Sequence, residues 1–195
     1  MKLRHLAIRF LTSATLSLGL ACSTALADEW GPTVGADLLD GLTATTTAGD
    51  TVSLNELSAS GNGLVIAFVR SADWCPFCKK QLIGLSKRQA DFEKRGLTLV
   101  SISYDSADTL KRFDEQFDID IALLSDPESK VIDAFDIRNE KQKAGTAGYG
   151  IPHPGIMVFN TDGELVLKFA EKSYRDRPDV NDILAAIDAR DQGAP

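Results

Sequence analysis

Leu64-Val65-Ile66-Ala67-Phe68-Val69 is an unbroken apolar run that leads into Ser71-Ala72-Asp73-Trp74-Cys75-Pro76-Phe77-Cys78. The apolar run reads as a central strand buried on both faces. The segment after Cys78 favours helix, with Leu82, Leu85, Gln89 and Phe92 along one stripe and Gly96 as its stop. Two cysteines three residues apart, where a strand gives way to a helix, form a dithiol able to cycle with a disulfide. With Cys75 at the helix cap, its sulfur sits over free backbone N–H groups and the positive dipole end, which favours the thiolate. Pro76 suits the first helical position, where no N–H is missed. Cys78 lies one turn on, within reach to close a Cys75–Cys78 disulfide. Lys79 and Lys80 add positive charge. Trp74 and Phe77 form an apolar collar for a partner that carries a disulfide.

Two plainer readings compete with redox chemistry. A structural disulfide across one helical turn closes a very short loop, so it restrains the unfolded chain little. A zinc half-site needs two further ligands. Outside the first 27 residues the chain holds one His and no third Cys.

Those first 27 residues read as a cleaved signal peptide. Lys2, Arg4 and Arg9 form a positive n-region, Phe10 to Leu20 a short apolar stretch, and Ala25-Leu26-Ala27 a small-x-small cleavage site. The apolar part is too short to span a membrane. Cys22 follows Ala21 as in a lipoprotein, but Gly19 stands where a Leu is usual, so a lipid anchor is the weaker alternative. Export to a periplasm or the exterior is the expected localisation. Cleavage leaves 168 of the 195 residues, a single-domain size, expected as a domain over 28–190 with a frayed end at 191–195. The leader takes three basic residues and no acid, so the net charge moves from −7 to −10. That balance argues against nucleic acid and anionic membrane surfaces as partners, and no membrane insertion is expected after cleavage. A secreted chain whose two remaining cysteines are Cys75 and Cys78 has no disulfide scaffold; its one pair is placed for chemistry.

The remaining chain alternates strand and helix signals. Thr43 to Leu54, with Ala48-Gly49-Asp50 in the middle, reads as a β-hairpin, and Ser58 to Gly63 as a loop. Leu97 to Ser103 is a second strand, joined to the first through a helix in a right-handed βαβ unit. Ser106 to Phe117 reads as a helix with Leu110, Phe113 and Phe117 inward, followed by a short strand at Ile121 to Leu124. Asp126-Pro127 reads as a cap and first-turn proline opening a helix to about Phe135. Residues 138–150 are a long irregular stretch and a candidate mobile loop. Ile156 to Phe159 and Glu164 to Phe169 form a second hairpin around Thr161-Asp162-Gly163. Pro178 opens a last helix carrying Val180, Ile183, Leu184 and Ile187. This order predicts an α/β fold with a central mixed sheet flanked by helices and an N-terminal hairpin. Ligand sites in open α/β sheets gather at the carboxyl ends of central strands, where Trp74 to Cys78 falls.

A second half of the site is expected at Tyr149-Gly150-Ile151-Pro152-His153-Pro154-Gly155. Pro154 is a candidate cis proline, which would leave the preceding backbone free to pair with an extended substrate. His153 is the one His outside the leader and a candidate to tune the thiols or shuttle protons.

Val69 to Cys78, Ser125-Asp126-Pro127, Gly150 to Gly155 and Ser173-Tyr174-Arg175-Asp176-Arg177-Pro178 together resemble peroxiredoxin-like redoxins, the alkyl hydroperoxide reductase and thiol-specific antioxidant group of the thioredoxin superfamily. The resemblance covers residues 33–187 and implies a thioredoxin-like fold and an antioxidant thiol enzyme. The chain also departs from that group. Peroxide-reducing members carry a Pro and a Thr seven and three residues before the first reactive Cys; Phe68 and Ala72 stand there. Their activating Arg falls at Pro154. The chain instead shows thioredoxin-type features, with Trp74 before a CxxC. The buried carboxylate of thioredoxins falls at Val69, and Asp73 is the nearest acid.

The leading expectation is an exported dithiol oxidoreductase. Cys75 attacks a disulfide or oxidised thiol and Cys78 resolves the mixed disulfide, with a separate thiol donor to restore the pair. The close alternative is a peroxiredoxin in which Cys75 is oxidised by a hydroperoxide and Cys78 condenses with it, Arg70 or Arg175 replacing the absent Arg. A third, of another class, is a Cu(I)-binding module using Cys75, Cys78 and His153. The redox readings call for no cofactor and no metal.

Overall fold

The computed structural model describes residues 30–171 and 173–193. The expected leader, Cys22 included, and the last two residues lie outside them. Two short strands, β1 (Thr43–Thr46) and β2 (Thr51–Ser53), pair antiparallel in the expected N-terminal hairpin. A one-and-a-half-turn helix, α1 (Leu54–Ala59), follows directly and replaces the start of the expected loop. Ser53 caps it, its side chain accepting the Glu56 N–H at 3.3 Å. Ser53-Leu54-Asn55-Glu56 has the Ser-x-x-Glu spacing of a capping box, the signal that the hairpin reading overrode.

Strand β3 (Gly63–Phe68) is buried at every position, as its apolar run requires. It leads to α2 (Pro76–Ser86), α3 (Gln89–Glu93) and β4 (Leu97–Ser103). The expected single helix is therefore broken at Lys87–Arg88. Leu82, Leu85 and Phe92 are all buried in one cluster, so the break lets both pieces turn their apolar sides to the sheet. Helix α4 (Ala107–Phe117) buries Leu110 and Phe113, whereas Phe117 at its last turn stays 36% exposed, its ring tilted against that of Phe113 at 4.8 Å.

After β5 (Ala122–Ser125), the cap position falls at Ser129 and not at the expected Asp126, whose carboxylate nevertheless accepts the N–H groups of Lys130 at 2.8 Å and Ile132 at 2.9 Å. Pro127, however, lies in a turn, and α5 begins only at Lys130 (Lys130–Ala134), because Ser129 takes a left-handed φ of 56° that no helix continues through. Residues 138–150 carry turns and no regular element. Strands β6 (Gly155–Phe159) and β7 (Leu165–Ala170) form the second hairpin. The last helix, α6 (Val180–Asp191), starts two residues after Pro178, with Asp179 as its cap.

The seven strands form one mixed sheet in the order β2-β1-β5-β4-β3-β6-β7. β3 sits between a parallel neighbour, β4, and an antiparallel one, β6. Alternate residues of β3 feed two cores. Val65 and Ala67 pack with α2, α3, α4 and α6; Leu64, Ile66 and Phe68 pack with α1 and α5. Cys75 and Cys78 belong to the first core, at the carboxyl end of β3. No helix among the described residues is long and apolar enough to cross a membrane.

Candidate active site

Cys75 is the N-cap of α2, with extended backbone, and its Sγ accepts the Cys78 N–H at 3.4 Å. Pro76 follows at the first position, so the end of the helix is built as the sequence requires. No bond joins the two cysteines, whose Sγ atoms lie 2.7 Å apart. A disulfide, at about 2.05 Å, needs only a small approach from there. Both residues are buried, at 1% and 0% exposure. Trp74 and Phe77 beside them are exposed, as a collar for a partner should be.

The two thiols in contact titrate as one coupled pair. Hydrogen bonding from Cys75, the N–H groups of Ser71 and Arg70, and the charge of Arg177 bring the Cys78 thiol down to about 6, against the opposing effect of burial. The Cys75 thiol is pushed up, first by its hydrogen bond to Cys78, then by burial and the Cys78 charge; the Cys78 N–H and the Arg70 charge oppose this only in part. Two sulfurs in contact cannot both ionise, so the pair holds one proton between them and one negative charge.

Arg177 reaches Cys78 from the irregular segment before α6, with Nη2 3.7 Å from Sγ. Its Nε donates to Gln81 Oε1 at 2.8 Å, and Nη1 donates to the carbonyls of Tyr174 and Asp176. Arg70 lies between two aromatic faces, 4.8 Å from the Trp74 ring and 4.3 Å from the Tyr174 ring. Tyr174 meets Phe77 edge-on at 6.1 Å. Trp74 Nε1 donates to the Tyr104 hydroxyl at 3.0 Å. Arg175 stands over the outer side of this cluster, 5.5 Å from the Tyr174 ring. Of the arginines proposed to replace the missing one, Arg70 bears on Cys75; Arg177, given no role from sequence, is the one against sulfur.

The loop between β3 and α2 is tied down by Asp105, a buried carboxylate at the end of β4. It accepts the Ser71 hydroxyl at 2.8 Å, the Ala72 N–H at 2.7 Å and the Ser103 hydroxyl at 2.9 Å. Burial holds its pKa above the usual carboxylate range, against those hydrogen bonds. Asp73, the acid expected nearest the thiols, is exposed. Asp105 was findable: it follows β4 directly, and β4 pairs in parallel with β3, so both strands end on the same edge.

The second half of the expected site is only partly assembled. Pro154 is buried, and Gly155 pairs with Phe68, which brings this turn beside the end of β3. Its peptide bond is trans; no described residue has a cis peptide. Gly155 accommodates the close approach of Trp30, whose ring lies 2.4 Å from where a Cβ would stand. The same Trp30 stacks on His153 at 5.7 Å, and His153 Nε2 bonds Glu140 Oε2 at 2.8 Å. His153 thus engages the Trp30 side of β6, whereas Ile156 packs with the cysteines. The third ligand of the Cu(I) alternative is therefore directed elsewhere, and no group of three or more potential ligands among the described residues could hold a metal ion.

An open cavity of about 550 Å³ lies between α2 and the segment leading to α6. Phe77, Gln81, Leu85, Ile156, Arg177 and Val180 are among its lining residues.

Residues 34–168 match the AhpC/TSA family. A putative peroxiredoxin of Haemophilus influenzae is 30% identical over 125 residues, covering 64% of this chain and 78% of its own length. A 1-Cys peroxiredoxin of Triticum aestivum is 25% identical over 160 residues, 73% of this chain and 72% of that one. Among solved structures, a bacterioferritin comigratory protein of Xanthomonas campestris superimposes with a TM-score of 0.67 at 22% identity, over 83% of this chain and 99% of that one. A peroxiredoxin 6 of Arenicola marina gives 0.72 at 18% identity, over 84% and 76%.

Proposed function

This chain belongs to the AhpC/TSA family and is a thiol-dependent peroxidase or oxidoreductase, and within that class we propose that it works as an exported dithiol oxidoreductase whose Cys75/Cys78 pair reduces disulfides or oxidised thiols. The observation that carries the reading is the contact between the two sulfurs at the end of α2, 2.7 Å apart. One sulfur attacks the substrate disulfide, the other closes an internal disulfide, and the substrate leaves as two thiols. A thiol reductant then restores the pair. Export rests on the leader read from residues 1–27. Trp74 and Phe77 are exposed and offer the partner an apolar face. The test is reduction of insulin disulfides under a regenerating thiol. Turnover is expected from the native protein and not from Cys75→Ser or Cys78→Ser; undiminished turnover by either variant would overturn the proposal.

The relatives' names favour a second reading, in which the substrate is a hydroperoxide. The thiolate then cleaves the O–O bond to give a sulfenic acid and an alcohol or water, and the partner thiol condenses with loss of water. Stopped-flow mixing with peroxide decides: oxidation no faster than that of a free thiol removes this reading.

A further inference from the structure

The chain carries a net charge of −7, and Arg88, Arg95, Arg138 and Arg190 each pair with an aspartate. The cations around the start of α2 do not. Arg70, Lys80, Arg175 and Arg177 form no ion pair with a carboxylate among the described residues. Arg70 lies between Trp74 and Tyr174, and its Nε is buried without a partner. Lys80, Arg175 and Arg177 border the cavity of about 550 Å³. Two acids share that border. Asp179 is committed to the cap of α6, accepting the Asn181 N–H at 2.8 Å, and Asp176 is exposed. Leu85, Ile156 and Val180 supply an apolar lining. Gln81 lines the cavity too and is 9% exposed; Arg177 Nε takes its Oε1, and its Nε2 is buried with no acceptor. Unpaired cations, an apolar lining and an amide donor without an acceptor match an extended peptide that carries carboxylates, an apolar side chain and backbone carbonyls.

We propose that this cavity, with the exposed Trp74, Phe77 and Tyr174 beside it, is a docking surface for a protein partner that presents an acidic segment with an apolar residue at its centre. The inference rests on the dithiol reading above and names the chemistry of the partner. The cavity is lined by neither cysteine, so it holds residues that flank the partner's disulfide and not the disulfide itself. Phe77 joins the two parts of the surface: it lines the cavity and meets Tyr174 edge-on at 6.1 Å. Lys80 and Arg175 are exposed, so a partner's carboxylates reach them with little desolvation. The negative charge of the whole chain repels an acidic segment over most of its surface, which confines the contact to this face.

The test is calorimetric titration of the native protein with three short peptides, acetylated and amidated, each with Leu at its centre and flanked on both sides by Glu, Ser or Lys. The Glu peptide is expected to bind about tenfold more tightly than the Ser peptide, and the Lys peptide not to bind. Raising the salt from about 0.02 M to about 0.3 M should weaken the Glu peptide by about tenfold and leave the Ser peptide unchanged. Lys80→Glu with Arg175→Glu should abolish the preference for the Glu peptide, whereas Lys111→Glu, on the exposed side of α4, should keep it within about twofold. Equal affinity for the Glu and Ser peptides, binding of none of them, or equal losses in the double variant and in Lys111→Glu overturns the proposal. The salt series uses the native protein, so it decides even if the double variant does not fold. A native protein that sediments as a dimer, split by the double variant, assigns the surface to a second copy of the chain and also overturns it. Binding needs no turnover. A protein that reduces insulin without preferring the Glu peptide removes this inference alone, and one that prefers the Glu peptide without reducing insulin removes the dithiol reading.

Discussion

Asp105 Oδ1 accepts the Ser71 hydroxyl at 2.8 Å, so that the end of β4 holds the loop that carries the reactive cysteines. The same Ser71 hydroxyl receives the N–H groups of Asp73 and Trp74, at 2.9 and 3.3 Å. One buried carboxylate thereby fixes four consecutive residues ahead of Cys75. Asp105→Ala should cost about 1–3 kcal/mol of stability, because it leaves buried donors unpaired. Urea unfolding of the two proteins measures it.

Asp105 also carries a pH signature. Its folded pKa is raised, so its stabilising contribution is complete below the unfolded value and is lost as pH rises through the folded one. The difference in unfolding free energy between the native protein and Asp105→Asn should therefore shift against the native protein as pH rises above about 4. A difference independent of pH would show that the carboxylate ionises as freely in the folded chain as in the unfolded one.

With Cys78 at about 6, the rate of thiol–disulfide exchange should climb through that pH and level off by neutrality. An ordinary cysteine would still be climbing at pH 8. A pH series of initial rates distinguishes the two. His153→Ala should leave the midpoint in place, because the His153 ring engages Glu140 and Trp30 rather than sulfur.

Both sulfurs are buried, so the segment that holds Tyr174 and Arg177 must yield for a substrate to reach them. Tyr174 anchors that segment by stacking on Arg70 at 4.3 Å. Partly exposed stacks of this kind contribute on the order of 0.5–1 kcal/mol. Tyr174→Ala should speed alkylation of the thiols by roughly two- to fivefold, with no loss of fold by circular dichroism.

Much of this architecture was legible in the residues alone. Leu64 to Val69 reads as a strand buried on two faces, and Cys75-Pro76 as the start of a helix, because each pattern answers a local constraint. The α1 helix was hidden by β-favouring Thr and Val just before it, and the break at Lys87–Arg88 by an apolar stripe that two shorter helices satisfy equally well. What local chemistry could not show was which distant groups meet the sulfurs. Arg177 lies 99 residues from Cys78 and Asp105 lies 34 from Ser71, and only the sheet order brings them together. Pro154 illustrates the converse: its neighbours predicted a cis peptide, and the turn forms in trans.

Cys75 and Cys78 are expected to act as one two-electron couple. Reduced protein should be oxidised with one equivalent of a disulfide substrate, alkylated, digested and examined by mass spectrometry. Both thiols should be lost together, leaving a single peptide closed by a Cys75–Cys78 bond. One cysteine oxidised or adducted while the other remains alkylated in full would contradict it.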